Sequence, residues 1–163
     1  MRYHNITHDD LLNGEGIRVV LWVAGCSHRC DECHNKITWD ENNGLIFGEK
    51  EEQEIYNELS KDYISGITFS GGDPFYSANR QFILRFCHKI KEKFPNKTIW
   101  VYTGFTYEEL LKMNINLFDI DILVDGKFIK ELKDNDLHWV GSSNQRIIDI
   151  KQSIKQNKII LYE

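Results

Sequence analysis

The chain has 163 residues, enough for one domain, 1–163, with a core of its own. Lys and Arg number 20 against 25 Asp and Glu, a net charge of −5, so the basic footprint of a nucleic-acid binder is missing. The amino-terminal "MRYHNITHDD" is polar and lacks a secretory h-region, and no apolar run approaches the roughly 20 residues that span a bilayer, which leads us to expect a cytoplasmic protein without a membrane or nucleic-acid partner.

In chain order, "IRVVLWVAG" (17–25) is almost wholly apolar and β-branched and predicts a strand buried on both faces. It ends where three cysteines begin. "EKEEQEIYNELSKDY" (49–63) places Ile55 and Leu59 four apart among charges, an amphipathic helix. "ISGITFSGGDP" (64–74) predicts a short strand running into a glycine turn, and from Ser77 to Phe94 a helix buries the stripe Ile83, Cys87, Ile90 and Phe94. "KTIWVYTGF" (97–105) and "FDIDILVDGKF" (118–128) predict two further strands, separated by a helix over "TYEELLKM" (106–113). The tail carries "NQRIIDIKQS" and a last apolar run, "KIILY".

Alternating strands and helices predict an α/β fold with a parallel sheet and crossover helices. The cysteine loop, Ser70-Gly71-Gly72-Asp73-Pro74, Thr103-Gly104 and Asp125-Gly126-Lys127 each follow a strand. Strand carboxyl ends are where such folds keep their active sites, so four loops are expected to meet on one rim. A complete eight-unit barrel typically needs roughly 250 residues, so this length allows only a partial, open-sided (βα) TIM-like barrel, accessible to a bulky substrate.

Cys26, Cys30 and Cys33 follow the spacing C-x3-C-x2-C. A structural zinc site takes four ligands, usually in two separated pairs, and no second pair exists. Cys87 falls on an apolar stripe and reads as a small buried hydrophobe, available to a metal only if its helix turned it outward. His34 follows Cys33 directly, awkward for the same tetrahedron, and His28 inside the loop is the other imidazole at hand. Three thiolates without a partner suit a 4Fe-4S cube with one iron free of protein ligation. A zinc-stabilised or redox-sensing binding module is the competing reading. Paired glycines at 71 and 72 let main chain approach a ligand and leave carbonyls to accept from an ammonium, although a plain turn uses the same residues. Thr103 is either a pocket residue or simply a good β-former, and Trp22, Trp39, Trp100 and Trp139 read as core or rim aromatics.

"GCSHRCDECHN" resembles the signature of the radical S-adenosylmethionine (SAM) superfamily, and "SGGDP" resembles its glycine motif. "NGEGIRVVLWVAGC", "CHNKITW", "FSGGDP", "WVYTGF", "LVDGKF" and "GSSNQR", between Asn13 and Arg146, are similar in order and spacing to the activators of anaerobic ribonucleoside-triphosphate reductase. That resemblance implies a partial barrel of the radical SAM type and an oxidoreductase that uses a 4Fe-4S cluster and SAM to form a 5′-deoxyadenosyl radical. The radical would generate a glycyl radical on the reductase, with a one-electron donor such as a flavodoxin as second partner. It implies Cys26, Cys30 and Cys33 as cluster ligands, Ser70, Gly71, Gly72 and Asp73 at the methionyl end of SAM, and Glu32, Cys33 and His34 at its adenine side. Relatives often carry Tyr or Phe where His34 stands, and an imidazole can stack in the same way. Asp125 and Lys127 form a D-x-K pattern that in relatives faces SAM, where a carboxylate could take ribose hydroxyls and an ammonium the methionyl carboxylate, with a solvated turn as the plain alternative. "GSSNQR" (141–146) is expected to shape SAM or partner contacts. Another glycyl-radical enzyme or a small molecule is the alternative target within the same chemistry. No side chain is expected to act as a general acid or base.

Overall fold

The computed structural model describes residues 1–163 as a mixed α/β fold around one seven-stranded sheet. The strands are β1 (Arg2–Asp10), β2 (Ile17–Val23), β3 (Leu45–Ile46), β4 (Ile64–Gly71), β5 (Thr98–Tyr102), β6 (Ile122–Asp125) and β7 (Arg146–Asp149), in the order β3-β1-β2-β4-β5-β6-β7. β3 and β7 end that order, so the sheet is not closed. Four α-helices complete the fold: α1 (Glu49–Leu59), α2 (Arg80–Lys93), α3 (Tyr107–Lys112) and α4 (Ile150–Gln156). No helix is long and apolar enough to cross a membrane.

The four central strands, β2, β4, β5 and β6, run parallel, and their helical crossovers match the predicted alternation. The expected parallel sheet is extended on both sides by antiparallel strands: β1 on β2, β3 on β1, and β7 on β6. β1 escapes a reading by hydrophobicity because Tyr3 alone of its nine residues is buried, and its ladder with β2 is interrupted by register shifts. "NQRIIDIKQS" divides at Asp149, whose carboxylate accepts from Gln152 N at 2.9 Å and caps α4.

The pleat sends alternate residues of each strand to opposite faces. Val19, Leu21 and Val23 of β2, Ile67 and Phe69 of β4, Ile99 and Val101 of β5, and Leu123 of β6 join Ile55, Leu59, Ile83, Phe86 and Ile90 of α1 and α2 in the main core. Of the predicted stripe, Ile83, Cys87 and Ile90 are buried there, Cys87 at 0% exposure, while Phe94 caps the end of α2 and packs against the core half-buried. The opposite face carries a smaller cluster of Trp100, Ile122 and Val124, covered by Trp139, Val140 and Tyr162.

Arg18 occupies that second face, fully buried, with its guanidinium 5.5 Å from the Trp100 ring. Its Nε donates to Thr68 Oγ1, Nη1 to Glu15 O and Thr98 Oγ1, and Nη2 to the carbonyls of Ile67 and Thr98, all within 3.0 Å. No carboxylate touches it, and burial lowers its pKa to about 10. Arg18 thereby ties β2 to β4 and β5 across the sheet. Arg18→Met is expected to lower unfolding free energy by about 3 kcal/mol or more, since each stranded buried acceptor costs about 1–3 kcal/mol. Chemical denaturation checks this, and a loss under about 1 kcal/mol would contradict the assigned role.

Candidate functional site

The loops that leave β2, β4, β5 and β6 at their carboxyl ends surround one cavity of roughly 240 Å³. Cys26, Cys30 and Cys33 line it together with Ser70, Gly71 and Gly72. Main-chain bonds knit the first two loops: Gly72 N donates to Val23 O at 2.8 Å, Asp73 N to Gly25 O at 2.8 Å, and Gly25 N to Thr38 O at 2.6 Å. Gly71 sits at φ 103°, a region L side chains rarely adopt, and a Cβ on Gly72 would stand 2.4 Å from Gly25 O. The paired glycines therefore bring the β4 turn against the start of the cysteine loop.

Burial pushes the Cys26 thiol up to about 11, with the main-chain amides of His28 and Arg29 opposing the rise. Cys30 is likewise pushed up by burial, opposed by the amide of Phe128. Asn35 N donates to Cys33 Sγ at 3.4 Å. A bound cation would reverse this balance and favour the thiolates. No group of three His, Cys, Asp or Glu side chains converges as a single metal ion requires. The fourth thiolate that an all-cysteine zinc site would need is locked in the core at Cys87. A cube that takes one thiolate at each of three separate irons fits the donor set better. Two further lining residues, Trp39 and Tyr102, each hold a buried polar atom, Nε1 and Oη, without a partner in the protein. Such groups suit a cavity that receives a polar ligand.

Other expected site residues are placed unequally. His34 lines the cavity, its ring 6.2 Å from that of Phe128. Glu32 does not: its side chain is exposed and pairs with Lys130 at 3.2 Å. Asp73 and Thr103 line the cavity, but Thr103 Oγ1 lies 2.9 and 3.0 Å from the two Asp73 carboxylate oxygens, so each is engaged with the other. Asp125 is 1% exposed and faces away from the cysteines, accepting from Tyr107 N at 2.7 Å and from Arg146 Nη2 at 2.5 Å. It shares an adjoining polar groove with Lys127, while Val124 and Phe128 line the cysteine cavity and Gly126 borders both. Strand alternation accounts for the split.

Gly141 and Gln145 of "GSSNQR" also line the cavity, and Gln145 pins the segment by donating to Gly126 O and accepting from Gly141 N. Arg146 bridges Asp125 and Glu108, and these hydrogen bonds hold the Glu108 carboxyl below its ordinary range. Sequence reasoning missed Tyr102, Phe128 and the role of His28, whose Nε2 lies 2.6 Å from Asp73 Oδ2. Period-two alternation from buried Trp100 marks Tyr102, since both side chains fall on the sheet face that carries the smaller cluster.

A family model described as a 4Fe-4S single cluster domain matches residues 12–148. The anaerobic ribonucleoside-triphosphate reductase-activating protein of Enterobacteria phage T4 is 42% identical over 147 residues, covering 90% of this chain and 93% of that protein. The protein of the same name from Escherichia coli (strain K12) is 44% identical over 148 residues, covering 89% and 96%. That from Haemophilus influenzae is 42% identical over 150 residues, covering 90% and 97%.

Proposed function

The chain belongs to the family of anaerobic ribonucleoside-triphosphate reductase-activating proteins and carries a 4Fe-4S single cluster domain, and on that premise we propose that it is a radical SAM enzyme that generates a glycyl radical on that reductase. The observation that carries the reading is the meeting of three thiols and a Gly-Gly main chain on one cavity. The open sheet, with its four parallel strands and crossover helices, is read as the partial barrel of the radical SAM type.

Cys26, Cys30 and Cys33 would hold three corners of the cluster and leave the fourth iron to SAM. When bound, the reduced cluster and SAM supply reductive cleavage of the sulfonium and a 5′-deoxyadenosyl radical able to take an α-hydrogen from a glycine. The chain's own residues bind, orient and exclude water. Main-chain carbonyls of Ser70–Gly72 are assigned to the methionyl ammonium, and Cys33 and His34 to the adenine side, while Glu32, paired with Lys130 outside the cavity, is given no SAM contact. Asp73, Thr103 and Asp125 have their polar atoms engaged within the protein and are assigned to holding the rim. Lys127 lines the adjoining groove and is assigned to a carboxylate entering from that side, since Arg146, the other cation there, is engaged by Asp125 and Glu108. The electron would come from an external donor such as a flavodoxin.

The test is anaerobic reconstitution with iron and sulfide, metal analysis, dithionite reduction and addition of SAM. Bound iron and sulfide with release of 5′-deoxyadenosine and methionine are expected. A protein that takes up zinc, assembles no cluster and leaves SAM intact would overturn the proposal.

A further inference from the structure

Three rim loops meet at one carboxylate. Asp73 is 1% exposed; its Oδ2 accepts from His28 Nε2 at 2.6 Å and from Gly104 N at 2.9 Å, and its Oδ1 from Phe75 N at 2.8 Å. Thr103 Oγ1 completes the set between the two oxygens. With four donor groups around it, this carboxylate is saturated from within the protein. Of those donors, His28 alone comes from the cysteine loop, and its side chain is 6% exposed. The ring stands edge-on to Phe105 with centroids 4.5 Å apart, and it fills the space a Gly104 Cβ would enter, where His28 Cδ2 lies 2.4 Å away. An imidazole has only two side-chain torsions to freeze, so packing and one charge-assisted hydrogen bond suffice to hold it.

His28 lies two residues from both Cys26 and Cys30. We infer that His28 is a positioning residue whose hydrogen bond to Asp73 fixes the cysteine loop against the glycine turn, setting the distance between cluster and SAM and fixing the main chain between Cys26 and Cys30. The inference rests on the radical SAM reading above. Its consequence is that one side chain governs both SAM affinity and cluster potential, because hydrogen bonds to cluster sulfurs stabilise the more negative, reduced form.

His28→Leu keeps the bulk and removes the donor; His28→Gln keeps a donor at a similar reach. Both are compared with the parent as reconstituted holoproteins, by iron content, by KM for SAM and by an EPR-monitored redox titration. The Leu variant is expected to raise KM about tenfold, the value of a hydrogen bond to a charged group, and to shift the potential downward. The Gln variant is expected to restore both most of the way. Parental KM and potential in the Leu variant, or a Gln variant no better than Leu, would overturn the inference. If Leu prevents cluster assembly, assembly by Gln supports the inference and failure of both variants overturns it. A parent protein that does not cleave SAM at all would instead defeat the reading beneath it.

Discussion

Replacing Cys30 with alanine is expected to abolish 5′-deoxyadenosine formation while leaving the thermal unfolding transition close to that of the parent. The two effects separate because Cys30 lines the cavity in a loop and contributes nothing to the core beneath it. That core, from Val19 and Leu21 to Ile83 and Phe86, draws on strands, helices and the connecting residues Phe47, Phe75, Ile115, Leu117 and Ile120, and on no residue of the cysteine loop. Burial disfavours the Cys30 thiolate and keeps the side chain a neutral thiol, so its removal takes no charge from the apoprotein and creates no cavity in the core. Two remaining thiolates would leave a second iron of the cube without a protein ligand, and the cluster would be lost or inactive. Product assay and circular dichroism melting of the same preparation check both halves, and retained cleavage would sink the ligand assignment.

Gly72→Ala is expected to damage the site from its backbone. The added Cβ would lie 2.4 Å from Gly25 O and 2.9 Å from Thr38 O, both main-chain atoms at the base of the cysteine loop. Neither can rotate away. The turn and the loop must part, which breaks or lengthens the 2.8 Å bonds from Gly72 N to Val23 O and from Asp73 N to Gly25 O. Overpacking of this kind typically costs about 1–3 kcal/mol, and a displacement near 1 Å between reacting groups can cost about 10²-fold in rate. SAM cleavage by the reconstituted variant should therefore fall about 10²-fold with the cluster still bound. Cleavage within a factor of two of the parent would show that the close approach of these loops is unimportant.

Much of the site is visible in the amino-acid sequence because its residues are local. Three cysteines in one loop and two adjacent glycines need only the strand ends to bring them together, and the apolar runs of β2, β4 and β5 mark those ends. Two kinds of information are not local. Side-chain direction at a strand end depends on where the pleat stops, which is why Asp125 turns to Arg146 and Tyr107 while Val124 lines the cavity. Hydrogen bonds between loops are equally hidden: nothing adjacent to His28 or Asp73 in the chain announces that residues 45 apart will pair at 2.6 Å. β1 and β7 are overlooked for a third reason. A strand that pairs at the side of a sheet with one wet face carries too few buried residues for hydrophobic periodicity to register, as in the Arg2–Asp10 pattern.

The most direct measurement is EPR spectroscopy of anaerobic ribonucleoside-triphosphate reductase after incubation with this protein, reconstituted with iron and sulfide, reduced with dithionite and supplied with SAM. A glycyl-radical doublet on the reductase is expected, accompanied by 5′-deoxyadenosine and absent when SAM is omitted. Release of 5′-deoxyadenosine without a doublet would contradict the assigned target, and a reductase that gains the doublet equally well without this protein would contradict its role as activator.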